Sequence, residues 1–195
     1  MDEALSPQFW SERYKSCATG WDLGQISPPL EAYFNQLENK DLKILIPGCG
    51  SGYEAEYLHS LGFRQVHLLD FAAEPLEAFA KRVHDFPAAH LHQEDFFTHE
   101  GQYDLIIEQT LFCAIDPKLR PDYAKNVKRL LKPSGKLVGL LFNRDFEGGP
   151  PFGGTKEEYM TYFRPYFSLI SMEECYNSAA PRQGTELFVV VSGVV

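Results

Sequence analysis

The run Ile44-Leu45-Ile46-Pro47-Gly48-Cys49-Gly50-Ser51-Gly52-Tyr53-Glu54 carries an apolar strand directly into a turn with glycine at every second position. Glycine lacks the Cβ that would hold a ligand off the backbone, and it tolerates the positive φ angles of a tight strand-to-helix turn. A second apolar run, Val66-His67-Leu68-Leu69, closes on Asp70. A carboxylate about 20 residues beyond such a turn can accept two ribose hydroxyls. Gly48, Gly50, Gly52 and Asp70 therefore predict the floor of a nucleotide-cofactor site. The plainer alternative is a generic turn, with Asp70 as the helix N-cap before Ala72. The spacing is GxGxG, without the third glycine position of the GxGxxG dinucleotide fingerprint, which favours S-adenosylmethionine (SAM) over NAD.

Around this turn, apolar runs alternate with helical patterns. Leu42 to Ile46 precedes Glu54 to Leu61, Gln65 to Leu69 precedes Pro75 to Val83, and Tyr103 to Ile107 precedes Tyr123 to Leu131. Such alternation predicts βαβ units, hence an α/β fold with a mostly parallel, doubly wound sheet covered on both faces. Lys136 to Phe142 reads as another buried strand after the turn Pro133-Ser134-Gly135. Phe167 to Met172 and Glu186 to Val191 have no helical pattern between them, which predicts an antiparallel hairpin at the sheet edge. Three segments are left over: the residues before Lys40, the turn from Thr110 to Pro121, and the loop from Asn143 to Lys156. Ligands of open α/β sheets sit beyond the carboxyl ends of the strands, so these segments are expected to close a small pocket there.

A chain of 195 residues is expected to form one domain, residues 1–195, burying about 70% of the surface its unfolded form exposes. The net charge of −9 and the scattered Lys and Arg argue against nucleic acid or an anionic membrane as partner. Cys17, Cys49, Cys113 and Cys175 show no CxxC or metal spacing, and the six histidines show no ligand spacing, so no metal and no disulfide framework are expected. Met1-Asp2-Glu3-Ala4 is acidic, unlike a secretory leader, and no apolar run reaches the roughly 20 residues of a membrane helix. The expectation is a cytoplasmic protein, with a monomer as the default.

Further blocks extend the pattern: Phe9-Trp10-Ser11-Glu12-Arg13-Tyr14 with Gly20-Trp21-Asp22-Leu23-Gly24, Glu94-Asp95-Phe96-Phe97, Leu111-Phe112-Cys113-Ala114-Ile115-Asp116-Pro117 with Leu119-Arg120-Pro121, and Gly148-Gly149-Pro150-Pro151-Phe152. With Leu45 to Tyr53, these blocks make the chain resemble the class I SAM-dependent methyltransferases, and within them the thiopurine S-methyltransferase family with its halide and thiol methyltransferase branch. The resemblance runs from Phe9 to Phe152. It implies a Rossmann-like seven-stranded sheet, a cofactor lid formed by residues 1–40 over an α/β core of residues 41–195, and a small-molecule methyl acceptor.

The resemblance also implies roles. Trp10, Tyr14 and Trp21 would cover the cofactor, although the i, i+4 spacing of Trp10 and Tyr14 is equally that of a packed helix face. An aromatic face attracts a cation by about 0.5 to 2 kcal/mol, which suits a sulfonium. Asp70, with Phe71 beside it, would hold the ribose. Asp95 and Phe96 would hold adenine, since a carboxylate accepts from its amine and a ring stacks on its face. Glu108 and Gln109 would face the methyl-transfer region, where Gln109 departs from the acid-tyrosine pair of the halide and thiol branch. Glu108 is the candidate general base, and Phe112, Arg144 and Phe152 are acceptor-side candidates. Arg120, Arg144 and Asp145 read as surface residues at the pocket edge, and Cys113 as a buried structural cysteine. The expected reaction is in-line methyl transfer to a small soft nucleophile: a thiol, thiopurine, halide, thiocyanate or chalcogen oxyanion. The alternatives are a noncatalytic protein that binds SAM or S-adenosylhomocysteine and, from another class, an NAD-dependent oxidoreductase.

Overall fold

Period-two alternation in the central strands builds a sheet with two apolar faces. In a computed structural model, which describes residues 5–195, β1 (Ile44–Pro47) sends Ile44 and Ile46 to one face and Leu45 to the other. In β4 (Tyr103–Gln109), Leu105 and Ile107 point to the first face and Ile106 to the second. Helices α2 (Pro28–Phe34), α3 (Tyr53–Ser60) and α4 (Ala73–Arg82) cover the first face through Leu30, Phe34, Ala55, Leu58, Leu76 and Phe79. Helices α5 (Arg120–Leu130) and α6 (Lys156–Phe163) cover the second through Tyr123, Val127, Tyr159 and Phe163. Side chains as fully buried as Phe79 and Phe163 each contribute about 1.5–3 kcal/mol.

The seven strands lie in the order β3-β2-β1-β4-β5-β7-β6. From β3 (Leu91–Gln93) and β2 (Val66–Asp70) through β4 to β5 (Leu131–Phe142) every pairing is parallel. β7 (Glu186–Val194) runs antiparallel between β5 and β6 (Phe167–Glu174), so the expected hairpin caps the sheet with β6 at its edge. β5 starts ahead of the expected Lys136. Pairing passes from Tyr103↔Leu131 to Leu105↔Lys136 with a shift in register, so Pro133-Ser134-Gly135 is an irregularity within the strand. Helix α6 was not expected. Its start is fixed by Thr155, whose hydroxyl accepts from the Glu158 N–H at 3.2 Å.

Helix α1 (Pro7–Lys15) begins at Ser6, which accepts from the Phe9 N–H, and it buries no residue fully. It docks on α4 through Glu74, which takes the Ser11 hydroxyl and lies 3.3 Å from the Lys15 ammonium. The acidic stretch Met1 to Ala4 lies outside the described residues. Among the described residues no helix is long and apolar enough to cross a membrane.

Candidate active site

The carboxyl ends of β1, β2 and β4 open into a cleft of about 1480 Å³, walled by Trp10, Tyr14 and Trp21 of the N-terminal segment, Gly48, Asp70 and Phe71, and Asp95 and Phe96 after β3. Leu111 and Cys113 from the turn after β4, Phe142, Arg144 and Phe146 from the end of β5 and its loop, Pro150, Pro151 and Arg182 complete the lining. A pocket for one small molecule runs to about 300–1,000 Å³; this cleft has room for two reactants side by side. A hollow of about 50 Å³ adjoins it, formed by residues 48–54, Trp21, Asp22 and Gln109.

The glycines differ in what they face. At Gly50, φ is +50° and an added Cβ would stand 3.4 Å from the Tyr14 hydroxyl and 4.0 Å from the Trp21 indole nitrogen, so its bare side is turned toward these two aromatic residues. At Gly52, φ is +71° and a Cβ would come within 2.6 Å of Phe79 and 2.9 Å of Leu68. Gly52 therefore serves the close seating of the turn on the core. Gly48 lies beneath Leu111.

Asp70 is 6% exposed, and its two carboxylate oxygens accept from the Gly50 N–H at 3.2 Å and the Ala72 N–H at 3.0 Å. Asp70 does not cap α4, whose N-cap is Ala72 with no side-chain cap bond; it braces the turn ahead of the helix and also lines the cleft. Burial raises its pKa to about 6, against the pull of these backbone donors. Each oxygen keeps a further lone pair, so a sugar diol can still be accepted. Asp95 turns one oxygen to the Phe97 N–H at 2.9 Å. Trp10 and Tyr14 both meet Trp21 edge-on, at centroid distances of 5.4 and 5.7 Å. The three rings thus form one aromatic cluster beside the glycine turn. Gln109 lines the smaller hollow with a buried side-chain oxygen that has no partner among the described residues.

Four expectations about position are corrected. Glu108 does not face the cleft: 1% exposed, it accepts from the Tyr123 hydroxyl and from the Phe112 N–H, and burial pushes its pKa up to about 7. Phe112, 1% exposed, packs between Tyr123 and Tyr159 in the core. Phe152 also stays outside the lining; its carbonyl accepts from Arg120 at 3.1 Å. Arg120, expected at the surface, is 1% exposed and also binds the Gly153 carbonyl and Glu158, tying the loop before α6 to α5. Arg144 is exposed and lies at the rim over Phe146. Cys113 is buried as expected, its thiol pushed up to about 12 by burial.

Arg182 is a site residue that the sequence reading did not single out. It is 7% exposed, pairs with Glu186 at 3.3 Å, and donates to the Trp21 carbonyl at 2.6 Å, joining the N-terminal segment to the C-terminal hairpin. It ends the short turn Ala180–Arg182 between β6 and β7, with no motif around it. The histidines supply a second omission, since His67, His90, His92 and His99 do converge, at the β3 edge.

A Rossmann-like sheet ending in an antiparallel β7, with a glycine turn and acidic β2 terminus at its ligand end, defines the class I methyltransferase fold. The 1,6-didemethyltoxoflavin-N1-methyltransferase of Burkholderia thailandensis, solved with 1,6-didemethyltoxoflavin and S-adenosylhomocysteine, superposes with a TM-score of 0.75 over 98% of this chain and 88% of its own, at 16% identity. The sequence model of the thiopurine S-methyltransferase family matches residues 5–191, and the chain belongs to that family. A probable thiol methyltransferase 2 of Arabidopsis thaliana is 35% identical over 184 residues, 91% of this chain and 81% of that protein. A thiocyanate methyltransferase 1 of Brassica oleracea is 33% identical, covering 95% and 85%. The protein is a SAM-dependent methyltransferase, and the cleft fits that cofactor: a backbone turn open at Gly50, a buried carboxylate at Asp70 and an aromatic cover.

Proposed function

We propose that this SAM-dependent methyltransferase of small soft nucleophiles acts on acceptors that are already anionic at neutral pH, such as thiolates and thiocyanate. The observation that carries this reading is the buried Arg182 guanidinium in the cleft wall. A guanidinium has five N–H donors, and those not given to Glu186 and Trp21 are available to an anion. Phe142 lies 5.6 Å from it, and Phe146, Pro150 and Pro151 add apolar surface to the same cleft, which strips water from an incoming anion and leaves it more reactive. Glu108 is sealed behind Tyr123 and the Cys113 thiol is held protonated, so neither relieves an acceptor of a proton. An acceptor that arrives ionised needs no such help.

SAM supplies the activated methyl for an in-line displacement when bound. Asp70 takes the ribose hydroxyls, Asp95 the adenine amine, and Phe71 and Phe96 flank the ring. The orphan oxygen of Gln109 takes the ammonium of the methionine tail in the small hollow. Residues ahead of position 41 act as a lid on one catalytic domain, with Trp10, Tyr14 and Trp21 excluding water. Holding two reactants in line supplies about 7 to 11 kcal/mol of the barrier, which is why positioning suffices without a triad. Three buried cysteines and one exposed, all free, suit a reducing cytoplasm.

Labelled SAM incubated with thiols, thiopurines, iodide, thiocyanate and tellurite tests the proposal. Transfer to the anionic acceptors is expected, increasing with the fraction ionised for thiols. SAM binding with no transfer to any of the anions, or transfer confined to neutral acceptors, would overturn the anion reading.

A further inference from the structure

We propose that His92, Glu94 and His99 form a binding site for one divalent transition-metal ion of the zinc class, at the β3 edge of the sheet. Four of the chain's six histidines gather there. His92 lies in β3, opposite Leu69 of β2, and His67 comes from β2 itself. Glu94 follows the strand, its N–H bound to the Asp70 carbonyl, and a turn in which the His99 N–H reaches the Asp95 carbonyl brings His99 back beside it. The ligand atoms of His92, Glu94 and His99 all lie within 4.8 Å of one another. His99 Nδ1 is 2.6 Å from one Glu94 oxygen, and His92 Nδ1 is 3.9 Å from the other. Ligands on a tetrahedral zinc ion with bonds near 2.1 Å stand about 3.4 Å apart. Modest rotation of Glu94, whose side chain is 47% exposed, opens one contact and closes the other.

The groups behind the ligands support this reading. A metal-bound imidazole uses its second nitrogen to bond a partner that fixes ring and tautomer. Both histidines have one: His92 Nε2 is 3.0 Å from His67 Nδ1, and His99 Nε2 is 2.7 Å from the Tyr103 hydroxyl. Without metal, the His99–Glu94 bond requires the proton on Nδ1, so Nε2 accepts from Tyr103. With metal, the lone pair moves to Nδ1 and Nε2–H donates to the same oxygen. A hydroxyl serves both states because it donates and accepts. Two imidazoles and a carboxylate suit zinc and its first-row neighbours better than calcium or magnesium, which prefer all-oxygen sets. The exposed side leaves the fourth position to water.

The test uses the full chain carrying Cys17→Ser, which removes the exposed thiol as a competing ligand, titrated with Zn²⁺ against a chromophoric chelator. One equivalent should bind. His92→Ala and Glu94→Gln should each weaken binding by about tenfold or more, and Tyr103→Phe by about tenfold through the lost partner of His99. Both ligand variants change partly exposed side chains, and an unchanged circular dichroism spectrum verifies that they fold. Co²⁺ in the same protein should give visible bands without a thiolate charge-transfer feature. No binding, or affinity within about twofold of the parent in both His92→Ala and Glu94→Gln, would overturn the proposal by placing any bound ion elsewhere.

Discussion

Asp70→Asn separates what Asp70 does for the fold from what it does for the cofactor. Burial raises the carboxyl from its ordinary 3.8 to about 6, so keeping it ionised at pH 7.5 costs the fold about 3 kcal/mol, at 1.36 kcal/mol for each tenfold change. The amide removes that cost. It also turns an NH₂ toward either the Gly50 or the Ala72 N–H, and an unpaired buried donor costs about 1–3 kcal/mol. The two effects nearly cancel, so the melting temperature should move by no more than about 4 °C. Binding should respond differently, because a hydrogen bond to an ionised group is worth about 1.5–3 kcal/mol. Losing it lowers S-adenosylhomocysteine affinity about ten- to hundredfold, measured by titration calorimetry. The pH dependence carries the same sign: ionised Asp70 is the binding form, so wild-type affinity falls as pH drops through about 6 while that of the variant stays flat. An Asp70→Asn protein that binds within about threefold of wild type would show that Asp70 only caps the turn, and the ribose assignment would fail.

Glu108→Gln should retain methyl transfer to thiocyanate, since Glu108 is sealed from the cleft. Its raised pKa means its contribution to stability is full below about 4.5 and is lost as pH rises through about 7; thermal melts across pH 5 to 8 should show a flatter decline in the variant, and an unchanged slope would refute the buried position. Removing Arg182 alone would leave Glu186 buried and uncompensated, so the double variant Arg182→Met/Glu186→Gln is the informative one. It should raise KM for anionic acceptors about tenfold or more while moving KM for a neutral thiol little, as an interaction of about 1.5–3 kcal/mol requires. Gly52→Ala should lower the melting temperature by about 2–12 °C, because its Cβ, on a left-handed backbone, must displace Phe79 and Leu68, at about 1–3 kcal/mol. A melt indistinguishable from wild type would show that the turn can move off the core.

Elements with their own periodicity were legible in the sequence: β1, β2 and β4 are buried strands with abrupt polar ends, and α3 to α5 carry apolar residues at helical spacing. Helix α6 escaped because its apolar residues, Tyr159 and Phe163, follow a glycine-proline loop with no strand to introduce them, although Thr155 and Glu158 form a readable capping pair. Of the site, the residues on the glycine turn and the β2 terminus sit where local sequence puts them. Arg182 and the orientation of Glu108 depend instead on contacts between distant segments. Strand alternation puts Glu108 on the face of Ile106, but only the contacts with the Tyr123 hydroxyl, fifteen residues on, and the Phe112 N–H show that this end of the face is closed off from the cleft. The histidines at 67, 90, 92 and 99 look scattered along the chain because parallel pairing of β2 with β3 is what stacks them.

The chain has two tryptophans, and both stand in the aromatic cluster over the glycine turn, edge to face with each other. The rest of the molecule is dark at indole wavelengths. Ultraviolet emission from the unlabelled enzyme is therefore a private signal of how the cover sits over the glycine turn, readable in a stopped-flow cuvette while the methyl acceptor comes and goes.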